Sequence, residues 1–519
     1  MKTILKASFV LALSFGLASC NMDLRPYSVI DPDNALESYA DAEKLANGFN
    51  NQIRSLAVGD EIYAPELQSD IFHASTDYGN RGGDLYQWNF SSNFGNAESL
   101  WASCYTAIAN ANYFIQKVAY VENRVENDEA FAENWTEKQL ELLQGHRAEA
   151  LFLRAYAHYI LADRFCDSYT NANVTAEDSG IPVVTHYAPT SDKDKYPSRA
   201  TLEATFGQIF SDLKEAEASI GVLREPAAGS NYITVDAVKA FRARVALAAG
   251  DYATAIQDAT SVINSGTYSL VSSEADLRSL WVNDRSASEV ILQSYVALST
   301  ETPGTNNYGY IGYNYSNDIY APDYIPEQWV IDLYDDADYR KAVYFEEHEL
   351  TLSAGTSDPV SIFTKFYGNP ALQSGPSDYN YRNAPKPFRL AELYLIAAEA
   401  YAYSSLDNQG SSLINDLRAH RIADWENTSY TGERLKNEIK TERLRELMGE
   451  GFRLSDLKRY KQGMSRSAAQ NQSTILFPGS NSTEFLSRSA GDYRFVWPIP
   501  TSETDANPKI KQNPGYVNQ

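Results

Sequence analysis

Apolar positions along this chain recur mostly at steps of three and four. Between Gln139 and Phe165, Ala148, Phe152, Ala155, Tyr159 and Ala162 fall on one stripe, the period of an amphipathic helix. Their small size predicts close contact with neighbouring helices. A second unit starts at Thr234-Val235-Asp236 with Ala240, Ala243 and Leu247 on one face. It breaks at Gly250-Asp251-Tyr252 and resumes with Ile256, Ala259 and Ile263. Two helices of about a dozen residues joined by such a turn form a hairpin of tetratricopeptide type. A third unit runs from Phe388 through Leu390, Leu393, Ala397 and Ala400, turns near Asp407-Asn408-Gln409-Gly410, and returns through Leu413 and Leu417. No strict period of about 34 residues connects these units. The pattern predicts an all-α chain of degenerate helical hairpins embedded in a larger domain.

Between the helical blocks the pattern disappears. Residues 297–326 and 351–385 are rich in Gly, Ser, Asn, Asp, Pro and Tyr and read as long loops, which tend to carry function. Tyr308, Tyr310, Tyr313, Tyr315, Tyr320 and Tyr324 crowd one of them, and Tyr78, Tyr86 and Trp88 lie in another beside Asp77, Asn80 and Arg81. A flat ring stacks on the apolar C–H face of a pyranose while amide, carboxylate and guanidinium groups bond its hydroxyls. The candidate ligand contacts are therefore Tyr78, Asn80, Arg81, Tyr86, Trp88, Tyr308, Tyr310, Tyr313 and Tyr315.

The first residues form a separate signal. Lys2 and Lys6 precede the apolar run Ala7 to Leu17, and Ala18-Ser19 precede Cys20. Basic, apolar and small, in that order, make a secretory signal peptide; the run is too short for a permanent span of about 20 residues. Leu17-Ala18-Ser19-Cys20 resembles a bacterial lipobox, in which the thiol is acylated, palmitate being a typical chain, and heads the mature protein. This predicts a signal peptide over 1–19, a lipidated tether over 20–40, and a folded domain over 41–519. Two or more acyl chains suffice for stable membrane anchoring. The formal net charge is −24, and loss of Lys2 and Lys6 makes it two units more negative. Nucleic acid is excluded as a partner on that ground. Cys104 and Cys166, the other two cysteines, form no CxxC or Cys/His pattern, which argues against zinc.

Enzyme motifs are mostly missing. The chain has no GxSxG, P-loop or GxGxxG, and His348-Glu349 lacks the second His of HExxH. Ser211 to Lys214 and Ser455 to Lys458 match SxxK without its companion motifs. No cofactor, metal or catalytic residue is assigned. The cluster Glu442-Arg443-Leu444-Arg445-Glu446, continuing through Glu450-Gly451-Phe452-Arg453 to Asp456-Leu457-Lys458-Arg459, reads as an ion-pair network. Its spacing would pair Arg443 with Glu446 and Arg453 with Asp456.

That cluster also looks like the signature of the RagB/SusD family of Bacteroidota outer-membrane lipoproteins. Further marks are Arg147 to Tyr156, Gly180-Ile181-Pro182, Ala243 to Leu247 with the Gly250-Asp251-Tyr252 turn, Ala391 to Ala400, Trp497-Pro498-Ile499-Pro500 and Asn513-Pro514-Gly515-Tyr516. The resemblance implies a SusD-like α superhelix, with an N-terminal helical part over about 41–230 and a C-terminal part over about 231–519. It implies a non-catalytic, lipid-anchored outer-membrane protein, displayed on the cell exterior, that binds an oligosaccharide and passes it to a SusC-like TonB-dependent transporter. It also implies that the ion-pair cluster and the Pro-rich tail are structural. Alternative readings are a peptide-binding uptake lipoprotein, a surface glycosidase using two carboxylates, and a scaffold that grips protein. If Cys20 carries the lipid, Cys20→Ala is expected to abolish labelling by a palmitate analogue and to release the protein from the membrane fraction; retention of an unlabelled variant would refute the anchor.

Overall fold

The computed structural model describes residues 36–285, 287–302, 305–353, 355–373, 375, 381–466, 469–470 and 486–517. Cys20 and the signal peptide lie outside them. The helices that build the scaffold and its buried network, in chain order, are α1 (Tyr39–Leu56), α2 (Asp60–Gln68), α3 (Gly95–Asn127), α4 (Glu137–Phe165), α5 (Leu202–Ile220), α6 (Val235–Ala249), α7 (Tyr252–Ile263), α8 (Leu390–Tyr403), α9 (Asp407–Ala419), α10 (Gly432–Leu447) and α11 (Arg453–Arg459). Helix α1 thus begins within the last residues of the segment read as a tether. None of the described helices is long and apolar enough to cross a membrane.

Start and stop signals account for the helix ends. Thr136 and Gln139 bond each other's backbone N–H groups at the start of α4, at 3.2 and 2.9 Å, a capping box. Thr201, Thr234 and Asp251 cap α5, α6 and α7. Gly250 closes α6 with φ +74°, a left-handed position that favours glycine. From α3 to α9 each of these labelled helices packs on the next one, so the all-α scaffold is a superhelix of antiparallel hairpins. Helix α4, predicted with one apolar stripe, is buried on nearly every side from Ala148 onward, because α1, α3 and α5 all pack against it.

Two details differ from the sequence reading. The turn of the third hairpin lies at Ser404 to Leu406, with Ser405 at φ +60°, and Gly410 sits inside α9. A Cβ on Gly410 would approach the Ala398 carbonyl oxygen to 2.8 Å, so this glycine serves the close approach of α9 to α8. The two long loops contain short antiparallel pairs, including Tyr313–Asn314 with Ile319–Tyr320 and Thr351–Leu352 with Gly355–Thr356. Cys104 and Cys166 are free, buried thiols.

The acidic and basic cluster is a buried network, with partners other than those its spacing suggested. The Glu446 carboxylate accepts from Arg340 at 2.9 Å, Arg389 at 2.5 Å and Arg421 at 3.0 Å. Glu442 accepts from Arg340 and Arg418 at 2.6 and 2.7 Å, and Glu450 from Lys365 at 2.6 Å. Arg443 bonds Asp456 at 3.0 Å, and Arg453 bonds Asp70 at 2.8 Å. A buried carboxylate needs more donors than its own helix supplies, so it draws them from other elements. The Pro-rich tail returns to the core: the Trp497 indole donates to Gln68 Oε1 at 2.9 Å, and the Asn513 amide to the Phe165 carbonyl at 2.9 Å.

Burial opposes ionisation of Glu442, yet the guanidiniums of Arg340, Arg418 and Arg445 hold its carboxyl down at about 2. Its contribution to stability is present above the ordinary value of 4.5 and lost as pH falls toward about 2. Glu61 and Glu66 act with the opposite sign. Burial pushes both up to about 7, so their stabilising, protonated forms dominate below 4.5 and are lost as pH rises through about 7. Urea unfolding midpoints are expected to fall between about pH 5 and pH 8, and Glu61→Gln with Glu66→Gln to flatten that limb; a flat limb in the parent protein would contradict this assignment.

Candidate functional site

Strand β1 (Phe72–Ala74) pairs antiparallel with β2 (Tyr324–Pro326) in the register Phe72↔Pro326, His73↔Ile325, Ala74↔Tyr324. The ladder continues as Ser75 N donates to the Asp323 carbonyl at 2.7 Å. This pairing places the loop after β1 against the loop before β2, so both aromatic segments lie on one face. Arg81 Nε donates to Asp323 Oδ2 at 2.7 Å, with a second guanidinium contact to Oδ1. Burial raises the Asp323 pKa, and Arg81 draws it part of the way back. The Asp77 carboxylate accepts from Ser353 N at 2.6 Å and Ser353 Oγ at 2.9 Å, which brings the paired strands Thr351–Leu352 and Gly355–Thr356 to the same face.

The loop after β1 makes a tight turn in which Gly79, Asn80 and Gly82 have φ of +59°, +60° and +65°. Asn80 tolerates this because its side chain bonds locally: its Oδ1 accepts from the Tyr78 hydroxyl at 3.0 Å and from Gln87 Nε2 at 3.1 Å. The Arg81 side chain is left 58 % exposed above a nearly buried Asp323. In the second segment, Tyr308 is 41 % and Tyr315 52 % exposed. Tyr313 is half-buried, 4.8 Å from the Tyr320 ring, and bonds Asp318 at 2.9 Å. Tyr320 stacks on His348 at 3.7 Å, and Tyr308 lies 5.9 Å from Tyr381.

The structure thus divides the nine candidates. Arg81, Asn80, Tyr308, Tyr313 and Tyr315 reach the surface of the face. Trp88 is only 1 % exposed; its indole donates to the Gln68 carbonyl at 2.8 Å and meets Phe495 edge-on at 4.8 Å. Tyr86 is fully buried under the Arg466 guanidinium, 4.0 Å from its ring centre. Tyr310 stacks on Phe72 at 4.5 Å, and Tyr78 is buried. Trp88 and Tyr86 therefore offer no ring face to a ligand here, contrary to the expectation for them, because large apolar rings beside a core are drawn into it. Asp323 and His348 carry no signal in the sequence; only the strand pairing and folded loops bring them to the face, with the buried Tyr381 ring packed beside Tyr308.

Residues 362–516 match the family described as "SusD family", and residues 28–247 match one described as "Starch-binding associating with outer membrane". The chain belongs to the RagB/SusD family. Among curated relatives, the SusD-like protein P38 of Formosa agariphila is 22 % identical, over 98 % of each chain. A SusD superfamily protein from Bacteroides thetaiotaomicron superposes with a TM-score of 0.74 at 25 % identity, covering 92 % of this chain and 100 % of the other. A SusD-like carbohydrate binding protein from Bacteroides vulgatus gives 0.71 at 20 % identity, over 91 % and 97 %. These SusD-like structures share the helical scaffold described above.

Trp88→Ala is expected to destabilise this SusD family member by about 3–5 kcal/mol, as for a deleted core aromatic. Tyr315→Ala is expected to change stability by less than about 0.5 kcal/mol. Urea unfolding of both variants checks the division between core and face.

Proposed function

We propose that this protein captures an oligosaccharide at the outer membrane through its aromatic face and delivers it to a SusC-like TonB-dependent transporter. The convergence of two loops about 240 residues apart, leaving exposed tyrosines beside an exposed Arg81 and Asn80, supports the binding half of this reading most directly. Rings supply apolar stacking, and the guanidinium and amide supply hydroxyl recognition. The family's description as starch-binding and associated with the outer membrane agrees with it.

Delivery follows from physical need together with the family resemblance. An oligosaccharide does not cross an outer membrane by partition, because each unsatisfied hydroxyl costs several kcal/mol in hydrocarbon. A gated barrel is required, and a lipid on Cys20 would confine the two partners to one plane, so a modest interface suffices to hold them. Catalysis is not invoked. The carboxylates of Asp77 and Asp323 at this face hold loops together by bonding Ser353 and Arg81.

Two measurements test this reading. In calorimetry against an oligosaccharide found by glycan array, Tyr308→Ala and Tyr315→Ala are each expected to weaken binding several-fold, the equivalent of about 1 kcal/mol per stacked ring. Gentle detergent extraction through a C-terminal tag is expected to recover a barrel partner. Parent-like binding in both variants would remove the face from the proposal. Recovery of the protein alone, where a known lipoprotein and barrel pair stays intact, would refute the delivery step.

A further inference from the structure

Behind the aromatic face, between the start of α2, the C-terminal third of α4 and the segment 383–387, lies a cleft of about 150 Å³. At about 30 Å³ per water this space holds about five waters, room for one sugar ring. Tyr156, Tyr159, Phe366 and Phe452 give it aromatic walls. It adjoins the face through the short helix Thr305–Ile311, whose Tyr308 is exposed while Asn307 and Tyr310 line the cleft.

The charges on its walls are already matched. Arg244 pairs with Glu392, Lys386 with Asp284, and Glu450 with Lys365, each at 2.6 Å, and Arg164 pairs with Asp163. What remains unmatched is polar. Among the described residues, Glu61 Oε2, Arg164 Nε, Trp281 Nε1, the Tyr310 hydroxyl and Asn383 Oδ1 are buried without a hydrogen-bond partner, and all five residues line this one cleft.

Buried polar atoms are almost always paired, so five orphans carried by residues that line one cavity favour a polar guest. The set contains two N–H donors, a carbonyl acceptor, a hydroxyl and a carboxyl oxygen. An anion would satisfy only the donors and a cation only the acceptors, whereas hydroxyl groups do both. With charges cancelled and aromatic walls at hand, we infer that the cleft binds one neutral sugar ring, either a free monosaccharide or the end unit of a captured chain. This deepens the carbohydrate-binding reading and rests on it.

The test uses the full mature chain and calorimetric titration with D-glucose, D-galactose, D-mannose, D-xylose and N-acetylglucosamine, with glucuronic acid and glucosamine as charged controls. At least one neutral sugar is expected to bind. Tyr310→Phe, which keeps the ring stacked on Phe72, is expected to weaken it about five-fold with no loss of melting temperature, since the hydroxyl bonds nothing in the free protein. Val58→Phe, which fills the cleft from its rim, is expected to abolish it. Competition by an oligosaccharide ending in the same sugar would identify a chain end as the occupant, and its absence a free monosaccharide. No binding of any neutral sugar, tighter binding of the charged controls, or parent-like binding in both variants would overturn the inference. Intact oligosaccharide binding by a protein that ignores monosaccharides defeats the cleft alone; loss of oligosaccharide binding defeats the uptake reading.

Discussion

The Glu446 carboxylate, fully buried on α10, faces guanidiniums from three separate segments: Arg340, Arg389 and Arg421. Each ion alone would be costly to remove from water. Together with Glu442, Glu289 and Glu450 they form a set in which every charge has opposite neighbours. The arrangement therefore works only when all its contributing segments are in place, which ties α10, the short strand Phe388–Arg389 ahead of α8 and the helix at Tyr339–Tyr344 into one geometry. It also fixes the turn after α10, where Gly449 and Gly451 have φ of +81° and +86°. Gly451 N donates to Glu66 Oε1 at 2.7 Å, so the network's edge meets α2 and sets one wall of the cleft.

The helical scaffold was readable in the sequence because periodicity is a local property. The stripes of α4, α6 to α7 and α8 to α9 follow from side chains three and four residues apart, with Thr, Asp and Gly marking the ends. Where the reading missed, the cause was contact between distant segments. Gly410 looked like a turn residue because glycine permits both a turn and a close helix approach, and only the neighbouring Ala398 carbonyl distinguishes them. Arg443 and Arg453 were matched to partners on their own helix face, whereas burial directed them to Asp456 and Asp70.

The aromatic loops show the same limit more sharply. Their composition pointed to both segments, yet composition does not say which side of a ring meets solvent. Trp88 and Tyr315 have equal claims on paper, and one supports the core while the other stands above the surface. Asp323 carries no local mark at all; it gains its role from Arg81, across the β1–β2 pairing. The cleft is further from legibility still, since its walls come from eight stretches of chain that share no motif.

That β1–β2 pairing has a kinetic meaning. Its residues are about 250 positions apart, and the entropy of closing so long a loop has to be met before the contact returns any stabilisation. The helical hairpins, built from near neighbours, can form early, whereas the face waits for strands from both ends of this span. A chain that appears N-terminus first would then carry much of its scaffold and an incomplete aromatic face until Tyr324–Pro326 had followed. The face is therefore the part of the molecule completed last, after most of the scaffold that supports it.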